Sequence, residues 1–129
     1  MENNSQIDNV EYGQIKISDE VVATVAGLAA SEVEGIWSMS GGFAGNLSDL
    51  LGRKNLSKGV KVEVGEEEAA VDLNVVVEYG IKIPDVAWKV QENVKSAIET
   101  MTGLKVVEVN IHVQGVYIPK KEKEVVEEE

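Results

Sequence analysis

The apolar positions along the chain change period repeatedly, and each change marks an element. Ile15 and Ile17 alternate with Gln14 and Lys16 after Gly13, which predicts a short strand over 13–17. Ser18 and Asp19 follow as helix-cap candidates, because their side-chain oxygens can accept from the open amides of a first turn. Val22, Val25, Ala26, Ala29 and Val33 then recur at helical spacing and predict a helix from Asp19 to Glu34, stopped by Gly35. A second short strand is expected over Gly35–Met39, followed by a long Gly- and Ser-bearing connection over 40–59, in which Leu47, Leu50 and Leu51 suit one helical turn. Val60, Val62 and Val64 alternate with Lys61 and Glu63. Beyond the acidic turn Gly65–Glu68 the alternation resumes through Val71, Leu73, Val75, Val77 and Tyr79, the signature of a hairpin. Ala87, Val90, Val94, Ala97, Ile98 and Met101 share one face of a helix that enters at Pro84–Asp85 and ends at Thr102, with Gly103 as its cap. Val107, Val109, Ile111 and Val113 close the series as a last strand.

The predicted order is β-α-β-β-β-α-β. It describes an α+β, two-layer fold, a mixed sheet with both main helices packed on one face. The strand-helix-strand unit at the end should cross over right-handed. Residues 1–11 read as a flexible tail, 12–118 as a single domain and 119–129 as a disordered, charge-dense tail.

Composition narrows the function. The chain has 129 residues, enough for one core without staples, and no cysteine, which excludes disulfides, thiolate metal sites and cysteine nucleophiles. Its formal charge is −11, so nucleic acid and bare anionic lipid are poor partners. The N-terminal residues lack a signal peptide's basic and apolar regions, and no apolar run reaches the ~20 residues of a membrane span. A cytoplasmic protein is expected, reaching the membrane only through a partner.

Catalytic chemistry finds little to stand on. His112 is the only histidine, and its outward neighbours on the last strand are Glu108, Asn110 and Gln114, which suits an ordinary surface histidine. No Ser-His-Asp set, metal site or cofactor motif assembles; the glycines at 41, 42 and 45 are not followed by a P-loop Lys-Ser/Thr. No enzyme, metal or cofactor is expected. Arg53, Lys54, Lys58 and Lys61 cluster in an otherwise acidic chain and form a candidate anion site, against the simpler view of a solvated loop.

Trp88 is the sharpest anomaly. At about 100° per residue it points away from the apolar face of its helix and falls in with Glu92 and Lys95. An indole outside the core face is a typical interface anchor. On the first helix, Thr24, Gly27 and Ser31 form a small-residue stripe opposite the apolar face, suited to close approach of the second helix or of another subunit. Trp88, Glu92, Lys95, Thr24, Gly27 and Ser31 are therefore the candidate partner interface.

Three segments carry a family resemblance: GQIKISDEVVATVAGLAASEVEGIWSM, GRKNLSKGVKVEV and AAVDLNVVVEYGIKIPDVAWKVQENVKSAIETMTGLKVVEVNIHVQGV. Their order and spacing resemble the alkaline shock protein family of Gram-positive bacteria over residues 12–118, most specifically in YG-x-x-IP-x-VA-x-x-VQ and MTGL-x-VVEVN-x-HV-x-GV. The resemblance implies a cytoplasmic protein without established enzymatic activity, linked to cell-envelope stress. Some members are tethered by a membrane-spanning partner, and one branch is associated with acetyl-CoA carboxylase genes and fatty-acid synthesis. Trp88 departs from the family pattern, which leads one to expect a smaller or charged residue there. The expected function is thus a non-enzymatic protein-binding regulator or scaffold in envelope stress or lipid homeostasis. It would self-associate and bind cytoplasmic proteins, with carboxylase subunits or a membrane anchor as candidates. The alternative is a sensor of an anionic small molecule, such as an acyl-CoA, held by the 40–61 loop.

Overall fold

A computed structural model describes residues 12–39 and 57–119. Its elements in chain order are α1 (Asp19–Ser31), β1 (Ile36–Met39), β2 (Val60–Val64), β3 (Glu68–Glu78), α2 (Ile83–Thr102) and β4 (Lys105–Tyr117). The four strands form one mixed sheet with β3 at its centre. β1 pairs antiparallel with the end of β3, Ile36 opposite Val77, and β2 pairs antiparallel with its beginning, Val64 opposite Ala69. On the other side β4 runs parallel to β3 along its whole length, from Glu68 opposite Lys105 to Glu78 opposite Tyr117. A parallel pair needs a crossover, and α2 supplies it.

Pleating sends alternate residues of β3 to opposite faces. Ala69, Val71, Leu73, Val75 and Val77 form one face and are almost inaccessible. The helices cover this face side by side, α1 over β1 and β2 and α2 along β4. The core is aliphatic: Val22, Ala26, Ala29 and Ala30 from α1 meet Val86, Val90, Val94 and Ile98 from α2. Asn93 ties the two helices, its side-chain amide donating to the Ala29 carbonyl at 2.7 Å.

The two-layer architecture, the hairpin and both helices stand as expected from sequence, with one element missing and several boundaries moved. Residues 13–18 carry no regular secondary structure, so the strand expected at 13–17 does not form. Ile15 is 85% exposed, and only Ile17 of this segment packs against the core. Ser18 caps α1 as expected, its hydroxyl accepting from the Val21 amide at 3.2 Å, but the helix ends at Ser31. Gly35 instead makes the close turn into β1 at φ +106°, where a Cβ would lie 2.9 Å from a Val86 methyl. Met101, expected on the core face of α2, is 69% exposed, because Val86, Val90, Val94 and Ile98 already fill the contact and Met101 lies in the last turn. Gly103 adopts the left-handed cap, donating its amide to the Glu99 carbonyl.

Candidate functional site

Two surfaces stand out, and β4 contributes to both. The first is the sheet face left open by the helices. Parallel register places Asn110 beside Asp72 and His112 beside Asn74, while antiparallel register places Lys61 across from Asp72 on the other side. The Asn110 amide donates to Asp72 Oδ1 at 2.9 Å, and His112 Nε2 lies 3.5 Å from the same oxygen. The hydrogen bond from Asn110 holds the Asp72 carboxyl below the usual carboxylate range against the opposing pull of desolvation, with His112 and Lys61 adding to the lowering. One row further on, Gln114 donates to Asn74 Oδ1 at 3.3 Å. Near the carboxyl ends of β3 and β4, the Trp37 and Tyr117 rings stack with centroids 4.3 Å apart and planes within 4°. The polar side chains of this half-exposed face are partly paired with one another.

The second surface lies where α2 meets the outer edge of β4. Trp88, Gln91, Glu92 and Lys95 from the helix and Val106–Val109 from the strand line a shallow groove of about 180 Å³. Trp88 is 57% exposed and Val107 52%. Two helix side chains reach over to edge groups of the strand. The Gln91 amide donates to the Val109 carbonyl at 2.9 Å, and Glu99 Oε2 accepts from the Val106 amide at the same distance. That backbone hydrogen bond, with the Lys95 ammonium 3.1 Å away, holds the Glu99 carboxyl below its ordinary range. Edge groups are thereby satisfied by side chains where no strand among the described residues does so.

The residues singled out by sequence separate into these settings. Trp88, Glu92 and Lys95 come together in the edge groove. Thr24, Gly27 and Ser31 do not join them, since α1 lies over β1 and β2. Gly27 is buried, Thr24 is half-buried, and the exposed Ser31 hydroxyl donates to the Leu28 carbonyl at 2.9 Å. Lys61 belongs to the open face opposite Asp72, while Lys58 is exposed in the turn before β2. Arg53 and Lys54, and with them most of the candidate anion site, lie outside the described residues, as do Leu47, Leu50 and Leu51. His112 sits half-exposed in the polar ladder. Sequence reasoning missed the partnership of Asp72 with Asn110, because the match depends on a parallel register set by the bulges of β4. It also missed the Trp37–Tyr117 stack, whose members lie far apart in sequence.

Among the described residues no group of three or more His, Asp or Glu is placed to hold a metal ion. No described helix is long and apolar enough to cross a membrane. These surfaces define a small two-layer α+β domain with a polar open face and an aromatic-flanked edge groove. The chain belongs to the alkaline shock protein 23 family, described as having a cell envelope-related function, whose model matches residues 7–118. It is 39% identical over 118 residues to the uncharacterized Bacillus subtilis protein YqhY, covering 92% of this chain and 87% of that one. It is 43% identical over 110 residues to the uncharacterized YloU of the same organism, covering 84% and 92%. It is also 38% identical over 102 residues to a Streptococcus pyogenes stress response regulator gls24 homolog, covering 78% of this chain and 57% of the relative. Among solved structures, a MamM CTD chain aligns with 74% of this chain and 93% of its own length at 12% identity, with a TM-score of 0.46.

Proposed function

We propose that this protein is a non-enzymatic regulator or scaffold in cell-envelope stress or lipid homeostasis that works by binding other proteins and itself. The observation that carries the reading is Trp88, a large indole held in the open beside the apolar Val107 on an edge groove. An exposed indole next to exposed aliphatic surface on a sheet edge is the kind of anchor that protein interfaces use. The family description and the gls24-named relatives support the envelope and stress setting. The charge of −11 directs the protein toward protein partners in the cytoplasm and away from nucleic acid or bare lipid, so membrane contact would run through a tethering partner. Carboxylase subunits and a membrane anchor are the partners to look for.

The test is affinity capture from lysate of the source cells with wild-type and Trp88→Ala protein, alongside sedimentation of each. Loss of specific partners in the variant supports the reading and locates the surface. Unchanged capture together with unchanged self-association would show that Trp88 is not the binding surface.

A further inference from the structure

Edge strands usually carry guards against unwanted pairing: charges, proline, bulges or covering side chains. β4 is guarded over only part of its length. Near its start, Glu99 and Gln91 occupy the Val106 amide and the Val109 carbonyl, and Lys105 and Glu108 supply charge. From Val109 to Tyr117 there is no Asp, Glu, Lys, Arg or Pro. Among the described residues no strand pairs with β4 on the side away from β3. Backbone groups of successive strand residues point to opposite edges, and the register is regular between the bulges that follow Val106 and Val113. Because Gln91 reaches the Val109 carbonyl from outside, Ile111 and Val113 also present their amides and carbonyls outward. Val113 and Val116 are exposed along this stretch.

We propose that this edge accepts an extended, basic segment of another protein, added as a further strand on β4 alongside Trp88. The idea rests on the protein-binding reading above and names its mode. Strand addition supplies backbone hydrogen bonds for affinity and side-chain pockets for selectivity. The groove formed by Trp88 and Val107 lies at one end of this stretch and offers one such pocket. Its charge selects the partner. Lys95 is engaged by Glu99 at 3.1 Å, while Glu92 and Glu108 line the groove with no ion pair among the described residues, leaving the local field negative on a chain of net charge −11. Lysine or arginine in the added strand complements that field.

A second copy of the chain fits this edge poorly. Pairing β4 antiparallel with its own copy about a two-fold axis keeps both helical layers on the same side of the joined sheet. Paired strands lie about 4.8 Å apart, whereas packed helices need roughly 8–10 Å. α2 already reaches the outer edge through Gln91 and Glu99, so its copy would be driven into it. An incoming strand without a helix of its own meets no such obstacle.

The experiment is selection of a random-peptide display library on the full-length protein, with binding of enriched peptides then measured on variants. Enrichment of peptides with β-branched or aromatic residues at alternate positions and Lys or Arg between them is expected. Trp88→Ala should weaken these peptides about tenfold or more. Val113→Pro, which removes an outward amide at an edge position where proline is tolerated, should abolish binding while circular dichroism shows the fold retained. If that variant fails to fold, Val113→Lys places a guard charge on the same edge and should weaken binding likewise. No enrichment, or enriched peptides indifferent to both Val113 variants, overturns the proposal. So does a wild-type dimer that Val113→Pro dissolves, since a second copy would then occupy the edge. Lysate partners that depend on Trp88 but ignore Val113 would leave the protein-binding reading standing and remove strand addition alone.

Discussion

Along β3 the odd-numbered residues from Ala69 to Val77 are buried under two helices, while Ala70, Asp72, Asn74 and Val76 between them remain half-open. The same strand thus builds two surfaces governed by different physics. On the helix face, aliphatic side chains are removed from water and packed against Val22, Val90, Val94 and Ile98, where shape and volume decide stability. On the open face, carboxylate, amide and imidazole groups satisfy one another in the presence of solvent, where each interaction is worth little alone. The helix face holds the protein together, and the open face is free to vary in chemistry at small cost to the fold.

The sharpest way to test that contrast is to truncate neighbours on β3. Leu73→Ala, on the helix face, should cost about 2–5 kcal/mol in urea unfolding, because a fully buried leucine leaves a cavity. Asn74→Ala, one residue on, should change stability by about 0.5 kcal/mol or less, since its interaction with Gln114 is exposed. Equal losses at the two positions would break the comparison.

Gly35 extends the helix face into the turn before β1. Gly35→Ala should destabilise by about 1–3 kcal/mol through its positive φ, with the Val86 contact adding to the loss. A shift in melting temperature would show it, and Val86→Ala in the same background should recover the steric part alone.

The aromatic pair adds a stacked contact to the open face. A double-mutant cycle of Trp37→Ala and Tyr117→Ala should give a coupling energy of about 0.5–1.5 kcal/mol. Strict additivity would mean that the stack contributes nothing beyond area.

Acid separates the surfaces in another way, because the helix face carries no titrating group among its buried residues. Asp72 and Glu99 both have carboxyls lowered in the fold, so the unfolded chain takes up their protons first as pH falls. Their contribution is complete above the ordinary carboxylate range and is lost as pH descends through that range to the lowered folded values. Asp72→Asn and Glu99→Gln should each flatten the acid limb of the stability profile slightly. An unchanged limb in both would show that these hydrogen bonds do not bias ionisation. The Ser38 hydroxyl is buried with no hydrogen-bond partner among the described residues, so Ser38→Ala should stabilise by about 1 kcal/mol or less.

Much of this architecture was legible in the pattern of apolar residues. Period-2 runs located β2, β3 and β4, helical spacing located α1 and α2, and Ser18 and Gly103 marked helix ends. These are local properties: the pleat, the helical turn and the capping hydrogen bond each act within a few residues. The same local geometry placed Trp88 off the core face of α2 and His112 on the outward face of β4. Ile15 and Met101 show where local pattern stops being sufficient. Each has the right period, yet each is exposed, because period alone does not supply a neighbouring apolar surface to pack against.

The sequence by itself therefore determined the element types, most of their boundaries, the family and the acidic charge that disfavours nucleic acid. Only the tertiary structure decided that β4 takes the sheet's edge, that Asn110 meets Asp72, that Trp37 meets Tyr117, and that Gln91 and Glu99 guard one half of an edge whose other half meets no strand among the described residues. The physical reason is range. Periodicity records which side of an element faces apolar surroundings, whereas register, strand order and the overhang of a helix depend on the simultaneous packing of segments far apart in the chain.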